Sequence, residues 1–221
     1  PINQVGIKEA WAQVAFSRER FEDRGGQYDW SPRLVQLRIP VKPRLLVLAG
    51  VSGSGKDTAA APLLERGWQR IAVADPIKLG LQATLGLADE FLWGERRNEP
   101  IEHLDVSARR LFQEMSDVFR QHDAGVWVRR WVQRVQEAIR AGYSVVCTDL
   151  RTHAELDAAK QLGAIAVLLR RSGAGAPGGL AGHDTEQAFG DSETGFDAVI
   201  DNDGSVERLH RALFEALENV R

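Results

Sequence analysis

A five-residue apolar run, Leu45–Ala49, leads straight into Gly50-Val51-Ser52-Gly53-Ser54-Gly55-Lys56-Asp57-Thr58. Few folds accept that junction. An unbroken apolar run is the mark of a strand buried on both faces, and such strands belong to parallel sheets covered by helices on both sides. The turn that follows is small and rich in glycine, so its backbone N–H groups can close around an anion. Gly50, Gly53 and Gly55 supply the conformational freedom, while Ser52 and Ser54 keep the turn small and polar. A helix opening near Lys56 points its positive end at the same place. Lys56 then reaches the outer phosphates of a polyphosphate chain. The alternative is a strand–helix turn that binds nothing. Gly50, Gly55 and Lys56 in register behind a strand favour the phosphate cradle.

One position departs from the usual pattern: Asp57 stands where Ser or Thr commonly holds Mg²⁺. Either Thr58 contacts phosphate while Asp57 orders metal-bound water, or the metal is held elsewhere. Pro62 lies one turn into the helix and should distort it.

The rest of the chain alternates between strand and helix patterns. Residues 68–74 read as a second strand, and Asp75-Pro76 as a helix start with Asp75 as cap. Residues 107–121 read as a helix capped by Ser107, with Leu111, Met115, Val118 and Phe119 on one side. Residues 123–141 form another, stopped by Gly142. Strands are expected at 143–148, 164–169 and 198–200, and helices at 153–162 and 205–220. Residues 172–190, rich in Gly and polar residues, read as a mobile loop. Strands separated by helices imply parallel βαβ units. Residues 1–43 stand apart as an appendage, with a short amphipathic helix over 7–21 (Trp11, Val14, Ala15, Phe21) and an extended connector from Ser31 to Pro43. The main domain is then 44–221.

Composition narrows the function classes. The 221 residues carry 28 Lys and Arg against 31 Asp and Glu, a formal charge of −3, which argues against wholesale coating of nucleic acid. Cys147 is the single cysteine, so neither a disulfide framework nor a cysteine-rich zinc site is available. No apolar run reaches the roughly 18 residues of a membrane span, and no signal-peptide pattern is visible, so a cytoplasmic setting is expected. His103, His122 and His210 lack metal-ligand spacing.

The Gly-Lys-Asp-Thr ending has companions in Ala74-Asp75-Pro76-Ile77-Lys78, Arg109-Arg110-Leu111-Phe112-Gln113, Thr148-Asp149-Leu150-Arg151 and the stretch from Asp197 to Gly204. With these, the chain resembles the bacteriophage deoxynucleoside monophosphate kinases, from about Leu45 onward. The resemblance implies a P-loop NTPase fold: a three-layer α/β/α core with a parallel sheet, a helical monophosphate-binding region and a lid. It implies transfer of the γ-phosphate of ATP, with Mg²⁺, to a deoxynucleoside monophosphate in a host cell's cytoplasm. A homodimer stays open.

Several residues acquire roles by this resemblance, each with a plainer alternative. Asp149 ends a strand where open α/β sheets bind ligands; it would hold metal-bound water or the acceptor, or else cap the next helix. Arg151 would clamp the acceptor phosphate. Arg110 and Gln113, three apart, would meet phosphate and base edge. Arg170 and Arg171 would bridge the transferring phosphoryl group, since a guanidinium matches its oxygens. His183-Asp184-Thr185-Glu186 would close over the nucleotide. Asp75 and Lys78 would face the acceptor, Asn202 the adenine edge, and Trp127 would stack on a base or lie in the core. Together with Lys56, the expected catalytic residues are Asp149, Arg170 and Arg171, and Asp57 and Thr58 serve the metal directly or through water.

Two other readings remain. One keeps the donor and makes the acceptor a modified base (5-hydroxymethyluracil) in phage DNA, using Arg129, Arg130, Arg134 and Arg140 interleaved with Trp127 and Trp131. The other is an ATP-binding module with no acceptor.

Overall fold

The computed structural model describes residues 9–17, 33–40, 44–175, 189 and 192–219. The N-terminal part departs from expectation. β1 (Glu9–Ser17) and β2 (Arg33–Pro40) form an antiparallel two-stranded sheet, so the described part of the expected helix over 7–21, residues 9–17, is strand. Val14 pairs with Val35, Ala12 with Leu37 and Ala10 with Ile39. The alternation Val35-x-Leu37-x-Ile39 is a strand signal, and its partner shares the extended state despite a composition that suits a helix.

From Arg44 the chain builds one five-stranded parallel sheet. Its strands are β3 (Leu45–Ala49), β4 (Gln69–Arg70), β7 (Val145–Leu150), β8 (Ile165–Arg170) and β9 (Ala198–Asp201), in the order β4-β7-β3-β8-β9. A small antiparallel ribbon of β5 (Pro100–Ile101) and β6 (Val106–Ser107) lies outside it. The helices are α1 (Lys56–Leu64), α2 (Asp75–Leu85), α3 (Asp89–Leu92), α4 (Ala108–His122), α5 (Val126–Arg140), α6 (His153–Gln161) and α7 (Val206–Asn219).

Strand side chains alternate between two cores, as the period of two requires. Leu45, Val47, Val145 and Cys147 pack with Trp131 and Val135 of α5 and Leu156 of α6. Leu46, Leu48, Val146 and Val167 pack with Leu63 of α1 and Leu209 and Leu213 of α7. All five β3 residues are buried, as the opening apolar run demands. Each such leucine contributes about 1.5–3 kcal/mol by leaving water. A third, smaller core joins Leu81 of α2, Leu92 of α3 and Ala108 of α4. No helix among the described residues is long and apolar enough to cross a membrane.

Three local differences from the sequence reading matter for the site. β4 is much shorter than residues 68–74, because the chain peels away after Ile71. There Ala72 N–H donates to Asp75 Oδ2 (2.9 Å), and Val73 and Ala74 N–H donate to the two oxygens of Asp149 (2.9 and 3.0 Å). Asp75 therefore does not cap α2 from outside. It is buried within the first turn and anchors the chain that precedes it. Along α4, Ala108 and Ser116 are buried, whereas Val118 and Phe119 of the expected apolar side are exposed.

Pro62 does not break α1. Lacking an N–H, it leaves the carbonyl of Thr58, four residues earlier, without a helical donor. His210 Nε2–H supplies one from α7 at 2.9 Å. The two residues answer each other across the interface between α1 and α7.

Candidate active site

The carboxyl ends of all five parallel strands open onto one cavity of about 800 Å³, the place where ligands bind in open α/β sheets. The loop after β3 forms its floor. Gly50 has φ 138° and Gly55 φ 97°, a region L side chains rarely adopt. Space closes both positions as well: a Cβ on Gly50 would meet the Leu169 carbonyl at 2.3 Å, and one on Gly55 would meet Asn202 Nδ2 at 2.3 Å. Lys56 Nζ lies along the loop, donating to the carbonyls of Gly50 (2.6 Å) and Val51 (2.8 Å). Gly50, Ser52, Gly53, Gly55, Lys56, Asp57 and Thr58 all line the cavity.

Ser54 and Asn202 do not. Ser54 is fully buried beneath the loop, and Asn202, also buried, donates from Nδ2 to the Ser54 carbonyl at 3.0 Å. Asn202 is thus a brace under the loop of residues 50–58, where the sequence reading placed it at a base edge. The donor N–H it supplies across 148 residues fixes the carbonyl preceding Gly55.

Asp57 sits at the cavity wall. Its Oδ1 accepts the Thr148 hydroxyl at 2.7 Å and lies 4.0 Å from Arg70 Nε. Asp149 and Arg151 follow from β7, and both line the cavity. Asp149 holds the chain after β4 through the two backbone bonds already described and accepts the Cys147 thiol at 3.2 Å. Burial, followed by the nearby Asp149 carboxylate, pushes that thiol well above its ordinary pKa. The expected alternative for Asp149, capping the next helix, falls to Thr152. There Thr152 accepts Glu155 N–H and Glu155 Oε2 accepts the N–H groups of Arg151 (2.7 Å) and Thr152 (3.1 Å). Burial pushes the Glu155 carboxyl above its usual range.

The helical side of the cavity comes from α2, α4 and α5. Lys78 lines it, flanked by Trp93 and Phe112 with its ammonium 5.7 and 5.6 Å from their ring centres. Burial, and then Arg70, lowers its pKa. From α4 the stripe Arg109, Phe112, Gln113, Ser116, Asp117 and Arg120 faces inward. Gln113 is among them. Arg110 is not: it points to solvent and pairs with Glu114 at 2.8 Å, and Arg109 takes the cavity position. Helix phase explains this, since Arg109 and Gln113 are four apart and Arg110 falls about 100° off that stripe. Trp127 is buried, contributes one wall and donates from Nε1 to the Ser116 carbonyl at 3.2 Å, locking α5 to α4. Asp75 lies outside the cavity, bound by Arg70 Nη1 (3.3 Å) and Trp93 Nε1 (3.4 Å).

Arg170 and Arg171 line the cavity at the end of β8, and Arg170 pairs with Glu193 at 2.7 Å. Just beyond, Asp203 binds the N–H and hydroxyl of Ser172 (2.7 and 2.8 Å), which holds its carboxyl below the usual range. The expected closing element His183–Glu186, with most of the expected loop 172–190, falls outside the described residues.

Nine basic side chains line the cavity against six acidic ones, on a chain that is acidic overall. Sequence reasoning misses Arg70, Arg97 and Arg120 as cavity residues, because no local pattern marks which way their charges face. The arginines of α5 tell the opposite story. Arg129 pairs with Asp123, Arg130 with Gln133 and Arg140 with Gln136, while Arg134 turns inward to within 3.8 Å of Asp75. They do not form an open basic stripe.

Among the described residues no group of three or more His, Cys, Asp or Glu is arranged to hold a metal ion. A hard cation bound mainly by phosphate and water needs only one or two protein oxygens. The exposed Asp57 carboxylate and the Thr58 hydroxyl on the cavity wall fit that demand.

The sequence model for deoxynucleotide monophosphate kinase matches residues 95–213, more than half of the chain. No curated protein matches the sequence. Among solved structures, the dephospho-CoA kinase of Campylobacter jejuni is similar over 80% of this chain and 96% of its own, at 11% identity and a TM-score of 0.48. A sugar kinase from Janibacter is similar over 80% and 96%, at 17% and 0.46. A Mycobacterium tuberculosis APS kinase mutant is similar over 81% and 100%, at 15% and 0.41. Likenesses this distant bear no weight on substrate. The family match does, and with it the chain belongs to the deoxynucleotide monophosphate kinase family.

Proposed function

We propose that the cavity holds ATP on the loop of residues 50–58 and a free deoxynucleoside monophosphate against α2 and α4, and passes the γ-phosphoryl group between them. The observation that carries this reading is the convergence of nine basic side chains and a glycine-lined loop at the carboxyl edge of one parallel sheet. Two polyanions brought together need that excess of positive charge.

An oxygen of the acceptor phosphate attacks the γ-phosphorus, the bond from γ-phosphorus to the bridging oxygen breaks, and ADP leaves. That attacking oxygen carries no proton to remove near neutral pH, so no general base is required, and positioning with electrostatics supplies the catalysis. Lys56 swings from the loop carbonyls to the outer phosphates. Arg170 and Arg171 stand where charge on the transferring group accumulates. Arg151 and Lys78 take the acceptor phosphate, with Arg109 and Arg120 beside them. Gln113 and the Trp127 wall face its base. Asp149 acts by holding residues 73 and 74 in place. Magnesium, held by Asp57 and Thr58 directly or through water, would shield the phosphate charge. The resemblance to bacteriophage kinases supports a role in phage nucleotide metabolism.

The test is a screen with γ-labelled ATP and magnesium against the common and modified deoxynucleoside monophosphates, with single- and double-stranded DNA in parallel. Label in a deoxynucleoside diphosphate is the expected result. Label in DNA, or only in inorganic phosphate, would overturn the reading.

A further inference from the structure

The residue that departs from the usual phosphate loop, Asp57, raises an electrostatic difficulty. A carboxylate beside a triphosphate repels it, and the nearest neighbour in the loop, Lys56, is needed for the phosphates themselves. The surrounding geometry supplies a remedy drawn from two separate strands. Arg70 Nε on β4 donates to Thr148 Oγ1 at 3.3 Å, and the Thr148 hydroxyl on β7 donates to Asp57 Oδ1 at 2.7 Å. The direction of that chain is forced. A guanidinium can only donate and a carboxylate can only accept, so the hydroxyl between them must pass its proton side to Asp57. Arg70 Nε itself stands 4.0 Å from the same oxygen.

The two ends of this arrangement differ in their freedom. Thr148 is buried, and Arg70 is fastened from behind by Asp75, which Ala72 N–H and Trp93 Nε1 hold in turn. Asp57, by contrast, has an 83% exposed side chain at the start of a helix, with room to rotate toward the cavity. Its carboxylate therefore has a fixed docking point on the sheet and an open path to the phosphates.

Resting on the reading of the cavity as a nucleotide site, we propose that Thr148 and Arg70 are positioning residues that hold the Asp57 carboxylate off the donor phosphates and release it to a phosphate-bound divalent cation. With the cation present, Asp57 exchanges the Thr148 hydroxyl for metal or metal-bound water. Without it, the hydroxyl and guanidinium keep the negative charge turned away. No covalent step is involved.

The experiment is calorimetric binding of ADP, measured once with magnesium and once with chelator, and read as the dissociation constant in chelator divided by that in magnesium. Thr148→Val keeps the branched shape and removes the hydroxyl. It is expected to weaken metal-free binding, raising the ratio about three- to tenfold, the range for one ordinary hydrogen bond whose acceptor stays largely in water. Thr148→Ser keeps the hydroxyl and should keep the wild-type ratio. Arg70→Met should move the ratio in the same direction as Thr148→Val, which covers the case of an unstable valine variant. In an Asp57→Asn background the Thr148→Val change should leave the ratio where it was, since no charge remains to be held. An unchanged ratio in Thr148→Val, or an equal rise when that change is made in the Asp57→Asn background, overturns the proposal. Failure of the wild type to bind ADP at all overturns instead the reading of residues 50–58 as the donor site.

Discussion

Along one side of the cavity, the loop of residues 50–58 offers mainly backbone, supported from beneath by Asn202 and Ser54. Across from it, side chains gather from β4, α2, α4, α5 and the turn after β7, with aromatic rings among the charges. The first surface suits a ligand part common to every donor molecule, the phosphate chain, since amides and one ammonium group recognise charge and spacing alone. The second suits a part that differs between substrates, since Gln113, Ser116, Asp117 and Trp127 present distinct hydrogen-bonding and stacking surfaces. Positive charge is present on both sides, but only the helical side, proposed to take the acceptor, combines it with base-sized apolar walls.

If that division holds, removing a charge on either side should leave a different kinetic signature. The largest effect belongs to Lys56→Ala. Alanine suits a helix start, so the fold should persist, while kcat falls by about 10²–10³, the loss typical of one transition-state donor. Steady-state kinetics with circular dichroism as the folding control would check it. Wild-type turnover would remove Lys56 from the transfer step.

Arg151→Ala should act on the other surface. Loss of a charged clamp on phosphate corresponds to about a ten- to hundredfold rise in the acceptor KM, with little change in the KM for ATP. An equal rise in both constants would break the division between the two sides. The alanine also leaves the backbone bond from residue 151 to Glu155 in place, so helix α6 is not the variable.

How much of this is legible in the sequence follows the same division. A strand–turn–helix junction is written in consecutive residues, so the strand, the glycine-rich turn and the helix start at Lys56 can be read together. The helical side is assembled from distant segments, and Arg70, Arg97 and Arg120 carry no local pattern that separates them from solvent-facing charges. The choice between Arg109 and Arg110 depends on helix phase, which follows from the face that packs, and nothing in Arg109-Arg110-Leu111-Phe112-Gln113 fixes that. Asn202 shows the converse limit. Its type and its place after the last strand are visible in the sequence, yet only the close approach of Gly55 reveals that it faces the loop from below. Likewise the shortening of β4 depends on Asp149 and Asp75 capturing three amides, long-range and near-range bonds that propensity cannot anticipate. The pairing of β1 with β2 escapes the sequence for a related reason, since residues 7–21 have an apolar spacing compatible with either state until a partner is known.

Asn202→Ala sharpens the donor side further. It strips the Ser54 carbonyl of a buried donor, at a cost of about 1–3 kcal/mol, equivalent to a fall of roughly 2–12 °C in melting temperature for a chain of this size. Thermal unfolding would read it. Weaker ADP binding with an unaltered acceptor KM is the companion result, because the loop loses its brace while α2 and α4 keep their packing.

The smallest effect is expected from Glu155→Gln, which touches the acceptor side through the turn that carries Arg151. Burial raises the Glu155 carboxyl in the folded protein above its value in the unfolded chain. A group shifted this way favours the fold below its unfolded pKa and loses that contribution as pH rises through the folded value. Once ionised, this group is a carboxylate buried against its preference, compensated by the N–H groups of Arg151 and Thr152. Glutamine retains an acceptor oxygen for those two donors and still completes a capping box, but has no charge to bury. Melting temperature measured from the ordinary carboxylate range up to neutrality should therefore fall less steeply with pH in Glu155→Gln than in the wild type, and the two curves should converge on the acid side. A variant curve parallel to the wild type would mean that Glu155 is better solvated than its 4% exposure implies, and the turn that aims Arg151 would then be held by Thr152 alone.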